Sequence, residues 1–373
     1  MGSPGILRRR RHSLTGLVVV VALVIVASFL IPSATPLGFP CTSPAGTSCH
    51  ALVGYVLPND TSLSSVQSLF GVKHLRTLLG ANGLPLSTPP NHTLPLNSTV
   101  RVPFPCSCSN GTGTSVGIPV YVVRKDDGLY HIAADVFSSL VTYPDIQDFN
   151  GIANPDLIYI GQRLRIPLPC SCDEVDGVRV VHYGHRVAEG STVGEIADEF
   201  GVSQDLLMRL NNISTVNDLI ADFILDVPLK ACTSSISNNS LDASLLVANG
   251  TYVFTANNCV KCSCGSADNW TLQCEPSGIT LAGSSTCPSL KCSGSNLYIG
   301  NSSTIPCQRT SCDYGGYTNQ SIIANLTTVS TCPAPTPNHA SRISPEAPLI
   351  DWNLVVALSV TMLITLPSQL LLP

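Results

Sequence analysis

Asn154-Pro-Asp-Leu-Ile-Tyr-Ile-Gly-Gln-Arg-Leu-Arg-Ile-Pro167 runs directly into Leu168-Pro-Cys-Ser-Cys172. Asn154-Pro155-Asp156 is a turn, Leu164 to Ile166 read as a short closing strand, and Pro167 ends it. The end of this stretch has a twin upstream. Arg165-Ile-Pro-Leu-Pro-Cys-Ser-Cys172 repeats Arg101-Val-Pro-Phe-Pro-Cys-Ser-Cys108, and Asp226-Val-Pro-Leu-Lys-Ala-Cys232 is a weaker third copy. The period is about sixty residues. A unit that small buries little apolar surface and usually needs covalent staples. The paired Cys-x-Cys motifs supply them.

Working back from that closing strand, each unit reads strand, helix, helix, strand. In the middle unit Val120 to Val123 alternate as a strand, and Asp126-Asp127-Gly128 forms a turn that can cap the helix after it. Leu129, Ile132, Ala133, Val136 and Phe137 fall at helical spacing, and Pro144 to Phe149 make a second short helix. In the third unit Gly184 to Val187 open. Glu189-Gly190-Ser191-Thr192 turns, Val193, Ile196, Ala197 and Phe200 form the first helix, and Gln204 to Leu210 the second. Phe223 to Val227 close it. The first unit diverges: Gly54 to Leu57, the turn Asn59-Asp60-Thr61, helical Leu63 to Phe70 and Leu75 to Leu79, then Ser98 to Val102.

This pattern resembles the lysin motif (LysM). The middle unit opens Tyr121-Val-Val-Arg-Lys-Asp-Asp-Gly-Leu-Tyr-His-Ile-Ala133, and its close at Asn154 to Pro167 is the specific match. The third unit matches through Glu189-Gly-Ser-Thr-Val-Gly-Glu-Ile-Ala197 but has Asp222-Phe223 where the motif carries Gly-Gln. Three such units joined by Cys-x-Cys look like the plant LysM-domain GPI-anchored proteins, which include chitin-binding and peptidoglycan-binding receptor-like proteins. The resemblance implies an α+β chain of tandem βααβ modules stapled by Cys-x-Cys disulfides, followed by a cysteine-rich C-terminal region. It also implies the pairs Cys41–Cys108, Cys49–Cys172 and Cys106–Cys170, which sequence alone cannot derive.

The expected boundaries are a signal peptide over 1–34, units over 41–108, 117–172 and 178–232, a cysteine-rich region over 233–332, a Pro/Ser-rich spacer over 333–351 and a removed tail over 352–373. Arg8 to Arg11 are basic, Leu14 to Ile31 apolar, and Pro32 to Thr35 mostly small, the order of a secretory signal. An uncleaved anchor would favour a longer run, about 20 residues. Leu354 to Pro373 is a second apolar run with nothing basic after it. With the polar spacer and the candidate attachment positions Asn338, Ala340, Ser341 and Ser344, it fits a GPI signal better than a transmembrane helix. The expected location is therefore the outer face of the plasma membrane.

Sixteen cysteines form an even set. Eleven Asn-x-Ser/Thr sequons occur, at Asn59, Asn91, Asn97, Asn110, Asn212, Asn238, Asn249, Asn269, Asn301, Asn319 and Asn325. Both features suit an oxidising, glycosylating compartment. Cys259, Cys262 and Cys264 have the spacing of a metal site, but disulfides fit that compartment better. Cys232 completes an even ten with the nine cysteines after it, so one bridge is expected to join the third unit to this region. Charged residues make up 12% and the net charge is −5, which leaves no basic patch for nucleic acid.

Adjacent carboxyls occur at Asp126-Asp127 and Asp173-Glu174, on a turn and beside a linker, where capping or solvation accounts for them. A glycosidase needs two carboxyls about 5–10 Å apart in a cleft. His182 and His185 flank a strand and are expected to be exposed. Neither set makes a catalytic constellation, so the expectation is a binding protein with no cofactor or metal. LysM modules bind N-acetylglucosamine glycans, which implies a shallow groove formed in the middle unit by Lys125, Asp126, Asp127, Gly128 and Leu129 on one side. Gly151, Asn154, Pro155, Leu157, Ile158 and Tyr159 would form the other. Backbone in such turns can meet the acetamido group, and an aromatic ring can pack on a sugar face. Leu129 and Ile158 serve equally well as core, and Tyr159 is the aromatic expected outside. Asn59 and Asn212 lie on the corresponding walls of the first and third units, whereas Gly111 to Cys172 holds no sequon. The open groove is thus expected in the middle unit.

The implied function is a co-receptor that reads chitin oligomers or peptidoglycan in innate immunity. It would signal through a LysM receptor-like kinase, alone or in homo- or hetero-oligomers with related LysM proteins. The alternative is a wall-associated glycan-binding or adhesion protein without signalling.

Overall fold

The computed structural model describes residues 38–232, 236–279 and 286–332. The expected signal peptide, the attachment positions Asn338 to Ser344 and the C-terminal tail lie outside the described residues. Among the described residues no helix is long and apolar enough to cross a membrane.

Three βααβ units stand in the order expected. The first runs through strand Ser48–Val56, helices Leu63–Phe70 and Leu75–Ala81, and strand Thr99–Ser109. The second has strand Val120–Val122, helix Leu129–His131 continued by a π turn over Ile132–Val136, helix Tyr143–Phe149, and strand Arg163–Arg165. The third has strand Val180–Arg186, helices Val193–Phe200 and Gln204–Leu210, and strand Ile224–Cys232. Ser62, Thr142, Thr192 and Ser203 cap helices with their hydroxyls, each accepting from an amide three residues on.

One asparagine recurs at the same place in every unit. Asn82, Asn150 and Asn211 end the second helices. Each donates its amide both to the last turn of that helix and to a closing-strand carbonyl, and accepts that strand's N–H, at 2.7–2.9 Å. A side chain with two donors and an acceptor can satisfy all three backbone groups at once.

The units are not beads on a string. Strand Ser48–Val56 of the first unit runs parallel to Val180–Arg186 of the third, Leu52 opposite Tyr183 and Val53 opposite Gly184, so these units share one sheet. Glycine is required at this seam: a Cβ on Gly54 would sit 2.1 Å from the Tyr183 hydroxyl oxygen. The first and second units share a core instead. Tyr55, Phe70, Phe137 and Tyr121 form a run of edge-to-face rings across it. Tyr55 also donates to the Val136 carbonyl at 3.0 Å, and Ser138 to the Val56 carbonyl at 2.6 Å.

Disulfides join Cys41 to Cys108, Cys49 to Cys172 and Cys106 to Cys170, tying the end of the second unit to both long strands of the first. Cys232 bonds Cys264 and so fastens the third unit to the cysteine-rich region. Cys259 goes to Cys287, Cys262 to Cys274, Cys292 to Cys312 and Cys307 to Cys332. Cys259, Cys262 and Cys264 therefore take three different partners, which removes the metal alternative. That region forms two three-stranded sheets and packs on the first unit, where Tyr252 donates to the Leu84 carbonyl at 2.6 Å and Arg76 to Asn258 at 3.1 Å.

His182 and His185 depart from expectation. His182 is 2% exposed. Its Nδ1 faces both Asp226 oxygens at 2.8 and 2.9 Å, and its Nε2 faces the Asp173 carbonyl at 2.9 Å. Acceptors at both ring nitrogens call for a proton on each, so this is a buried imidazolium–carboxylate pair. Burial alone would lower its pKa, but Asp226 and the Asp173 carbonyl outweigh that and hold it above the usual histidine value. His185 is half-buried against Tyr183 and Phe200, and burial lowers its pKa to about 4.

These two histidines oppose each other in pH. His182, raised on folding, contributes stability that is complete below its unfolded pKa, about 6.5, and fades as pH rises through the folded value. His185, lowered on folding, contributes stability present above about 6.5 that fades as pH falls toward 4. Thermal denaturation across pH 4–9 is expected to show the His182→Gln variant without the wild-type loss above pH 6.5, and the His185→Phe variant with a shallower loss below it. In the same assay Gly54→Ala is expected to cost about 1–3 kcal/mol, as overpacking does, whereas Gly128→Ala, with open space where its Cβ would go, stays near wild type.

Candidate functional site

The middle unit's first wall begins where its opening strand ends. Tyr121 and Val123 point inward. Chain reversal needs a left-handed residue, and Asp126 takes it with φ of 68°. The Asp127 carboxylate accepts from the Arg124 amide at 2.6 Å and the Tyr121 hydroxyl at 2.8 Å, and lies 3.6 Å from His131 Nε2. Burial, and then this carboxylate, push the Tyr121 pKa up to about 12. Asp127 is thus occupied in holding the turn. Gly128, extended, leads into the helix, and Leu129 is 3% exposed in the shared core. Of the five residues expected on this wall, Lys125, Asp126 and the backbone at Gly128 face outward. Leu129 is a correction: the helix turns it inward at its first position.

The second wall is a pair of linked turns. Gly151, with φ of 62°, leaves the second helix. Asn154 Oδ1 accepts from the Asp156 amide at 3.0 Å and the Asn154 carbonyl from Leu157 at 3.0 Å, with Pro155 fixing the corner. Gln162 closes the next turn by accepting the Tyr159 amide on its side chain at 3.1 Å and donating its own amide to the Tyr159 carbonyl at 3.0 Å. Gly161 then donates to the Val123 carbonyl at 2.8 Å, and Val123 to the Gln162 carbonyl at 2.9 Å. These two bonds join the walls at the end of the opening strand. The Gly-Gln pair that stands out in the sequence is the clasp between the two loops.

The clasp presents apolar side chains to solvent. Leu157, Tyr159 and Ile160 are 72%, 70% and 67% exposed. Ile158 alternates inward and packs half-buried on the core. An exposed apolar cluster on a loop pinned by hydrogen bonds is preorganised for a flat ligand with apolar faces. Ile160, and Tyr130 at 71% exposure on the first helix, are exposed as well. Sequence reasoning does not select them, although the alternation about Ile158 and the helical template about Leu129 both point them outward.

The other units differ here. In the first, Asn59 is exposed within the strand–helix turn. In the third, Asn212 is exposed beyond the second helix with φ of 54°, and a 3-10 turn over Val216–Asp218, capped by Thr215, stands in place of the Asn-Pro-Asp corner. Asp173, the other candidate carboxyl, accepts from the amides and hydroxyls of Thr42 and Ser43 at 2.6–2.8 Å. Burial would raise its pKa, but these bonds together bring it below the usual value. Asp127 and Asp173, one from each acidic pair, are therefore structural anchors.

The LysM domain family matches residues 121–167 and 185–228. LysM domain-containing GPI-anchored protein 2 of Arabidopsis thaliana is 46% identical over 338 residues, covering 90% of this chain and 94% of that protein. The chitin elicitor-binding protein of Oryza sativa subsp. japonica is 39% identical, covering 80% and 82%. The crystal structure of the ectodomain of a receptor like kinase aligns at 25% identity with a TM-score of 0.42, covering 49% of this chain and 92% of that one.

The burial contrast makes a direct check. Tyr159→Ala is expected to leave the unfolding free energy within about 0.5 kcal/mol of wild type. Leu129→Ala is expected to cost about 2–5 kcal/mol. Equal losses in chemical denaturation would place Tyr159 in the core and undo this surface.

Proposed function

The chain belongs to the LysM domain-containing GPI-anchored proteins, and from that premise we propose that it is a lipid-tethered receptor at the outer cell surface that binds chitin oligomers. The observation that carries the reading is the exposed cluster Leu157, Tyr159 and Ile160 on the clasped loops of the middle unit, in a stretch free of sequons. An N-acetylglucosamine ring offers an apolar face for Tyr159 and Ile160, a methyl for Leu157, and an amide for the backbone around Asp126 to Gly128 and Gly151 to Asp156. A relative named for binding a chitin elicitor supports chitin as the ligand class. Peptidoglycan presents the same sugar and is the second ligand that this surface suits. The reading assigns binding, with no catalytic step and no cofactor.

One small, shallow site holds a short sugar weakly. A long polymer that engages two receptors gains avidity without new contacts. We therefore assign the output to a partner, a LysM receptor-like kinase brought to the same polymer, with copies of this chain or related LysM proteins as further members of the assembly.

Pulldown of the secreted protein on insoluble chitin and on peptidoglycan, competed by soluble oligomers, tests the reading. Wild type is expected to be retained on chitin. Tyr159→Ala is expected to weaken oligomer affinity about tenfold, the equivalent of roughly 1.4 kcal/mol of ring–sugar contact. Retention on neither polymer sinks the proposal. Binding without ligand-dependent association of a kinase leaves a wall-associated adhesion role instead.

A further inference from the structure

A cleft of about 820 Å³ separates the first and second units near Tyr55, at the far end of the first unit's opening strand from Cys49. Its volume lies within the range of ligand pockets, roughly 300–1,000 Å³. The floor is apolar: Tyr55 and Val66 are buried there, and Leu69 and Val136 half-buried. One wall is the first unit's helix Leu63–Phe70, which presents the hydroxyls of Ser64, Ser65 and Ser68. The other is the second unit's opening strand and first helix, with Val122, Arg124 and His131. Asn59 and Thr61, the ends of a sequon, line the rim.

We propose that this cleft is an internal carbohydrate site, occupied by the N-acetylglucosamine core of a glycan carried on Asn59. The attachment atom fixes where the first sugar must lie. Thr61 Oγ1 lies 2.7 Å from Asn59 Oδ1 and 2.8 Å from the Asn59 carbonyl, positioned to donate to either. Donation to Oδ1, the shorter of the two contacts, engages the Asn59 amide oxygen and leaves the side-chain nitrogen for the glycan. The first two sugars of an N-linked glycan each bear an acetamido group. Its N–H suits the serine oxygens, its carbonyl suits the Arg124 guanidinium, and its methyl suits Val122 and Leu69. Ser68 spends its proton on the Ser64 carbonyl at 2.8 Å and keeps its lone pairs for a donor.

The consequence is a clamp. A sugar pair seated between the two walls would bind both units at once, beside the aromatic core that joins them. It would also fill the first unit's strand–helix turn, leaving external glycans to the middle unit. The proposal rests on the reading that the chain is exported and glycosylated, but not on chitin binding.

Native wild-type protein treated with an endoglycosidase that cuts between the first two sugars tests it. The Asn59 glycan is expected to be cut about tenfold more slowly than the Asn91 glycan, and at the same rate after unfolding, as protection by local structure requires. Hydrogen exchange over Ser64–Leu69 and Val120–Arg124 is expected to rise about tenfold in Asn59→Gln and Thr61→Ala, but not in Asn91→Gln. Cleavage of the Asn59 and Asn91 glycans at equal native rates overturns the proposal, and so does an unglycosylated Asn59 on a chain whose other sequons are occupied. A chain with no occupied sequon overturns the export reading as well. Because the endoglycosidase assay uses wild type, it holds even if the variants fail to be secreted.

Discussion

A sixty-residue βααβ unit cannot bury enough apolar surface to stand alone, and that constraint organises the whole molecule. Each unit has two short helices over two strands, one side of which needs covering. The first unit satisfies both neighbours. Its sheet edge pairs with the third unit through Leu52 and Val53, and its core runs into the second through Tyr55, Phe70 and Phe137. The disulfides accord with this arrangement. Cys49–Cys172 and Cys106–Cys170 cross from the first unit to the end of the second, and so restrain the join between units more than either unit within itself.

That sharing explains the charge buried in the third unit. Strand Val180–Arg186 lies inside a continuous sheet, and His182 is shut off from water. Its proton is retained because Asp226 lies on the paired closing strand and the Asp173 carbonyl caps the far nitrogen. Asp173 in turn gathers the amides of Thr42 and Ser43 with its carboxylate. One short polar path therefore runs from the third unit, through the linker after Cys172, to the segment held by Cys41–Cys108. Breaking the buried pair leaves its other member unpaired, which costs more than the bond itself.

Much of the fold is legible in the sequence because local rules suffice. Helices Leu63–Phe70 and Gln204–Leu210 carry both an apolar period and a hydroxyl cap, and their limits follow from those two signals. Strands are harder, and sequence reasoning makes the long strands of the first and third units too short. Thr99–Ser109 continues through Pro103 and Pro105, and Ser48–Val56 begins before any alternation is visible. Prolines argue against a strand because they donate no hydrogen bond, yet here their neighbours carry the ladder. The joins between units are not legible at all, since nothing in a repeat says which copies meet. His182 is misjudged for a related reason: its partner lies forty-four residues away. At the candidate site the turns are readable from Gly, Pro and Asn. The inward and outward faces of Leu129, Ile158 and Ile160 depend instead on how helix and loop settle on a core built by two units.

The clasp also says why a binding surface suits the middle unit on grounds beyond the Asn59 and Asn212 walls. Its backbone half is common to all three units. Leu57 exchanges the same pair of bonds with Asn97 and Ser98, and Val187 with Asp222 and Phe223. The side chains at the clasp are where the units part. In the first unit the clasp residue Asn97 is itself a sequon, so a glycan there would cover the loop that exposes Leu96. In the third, Phe223 stands where the glutamine would be and cannot accept an amide, while Asp222 pairs with Arg186. In the middle unit the Gln162 side chain and the Asn154 turn brace the stretch that exposes Leu157, Tyr159 and Ile160. A loop that holds apolar side chains outward forfeits their burial unless other bonds fix it, and here those bonds are made within nine residues. Rigidity lowers the entropy that a weak ligand must overcome on binding. The middle unit therefore joins bracing, exposure and freedom from sequons in one loop, the combination on which the proposed site rests.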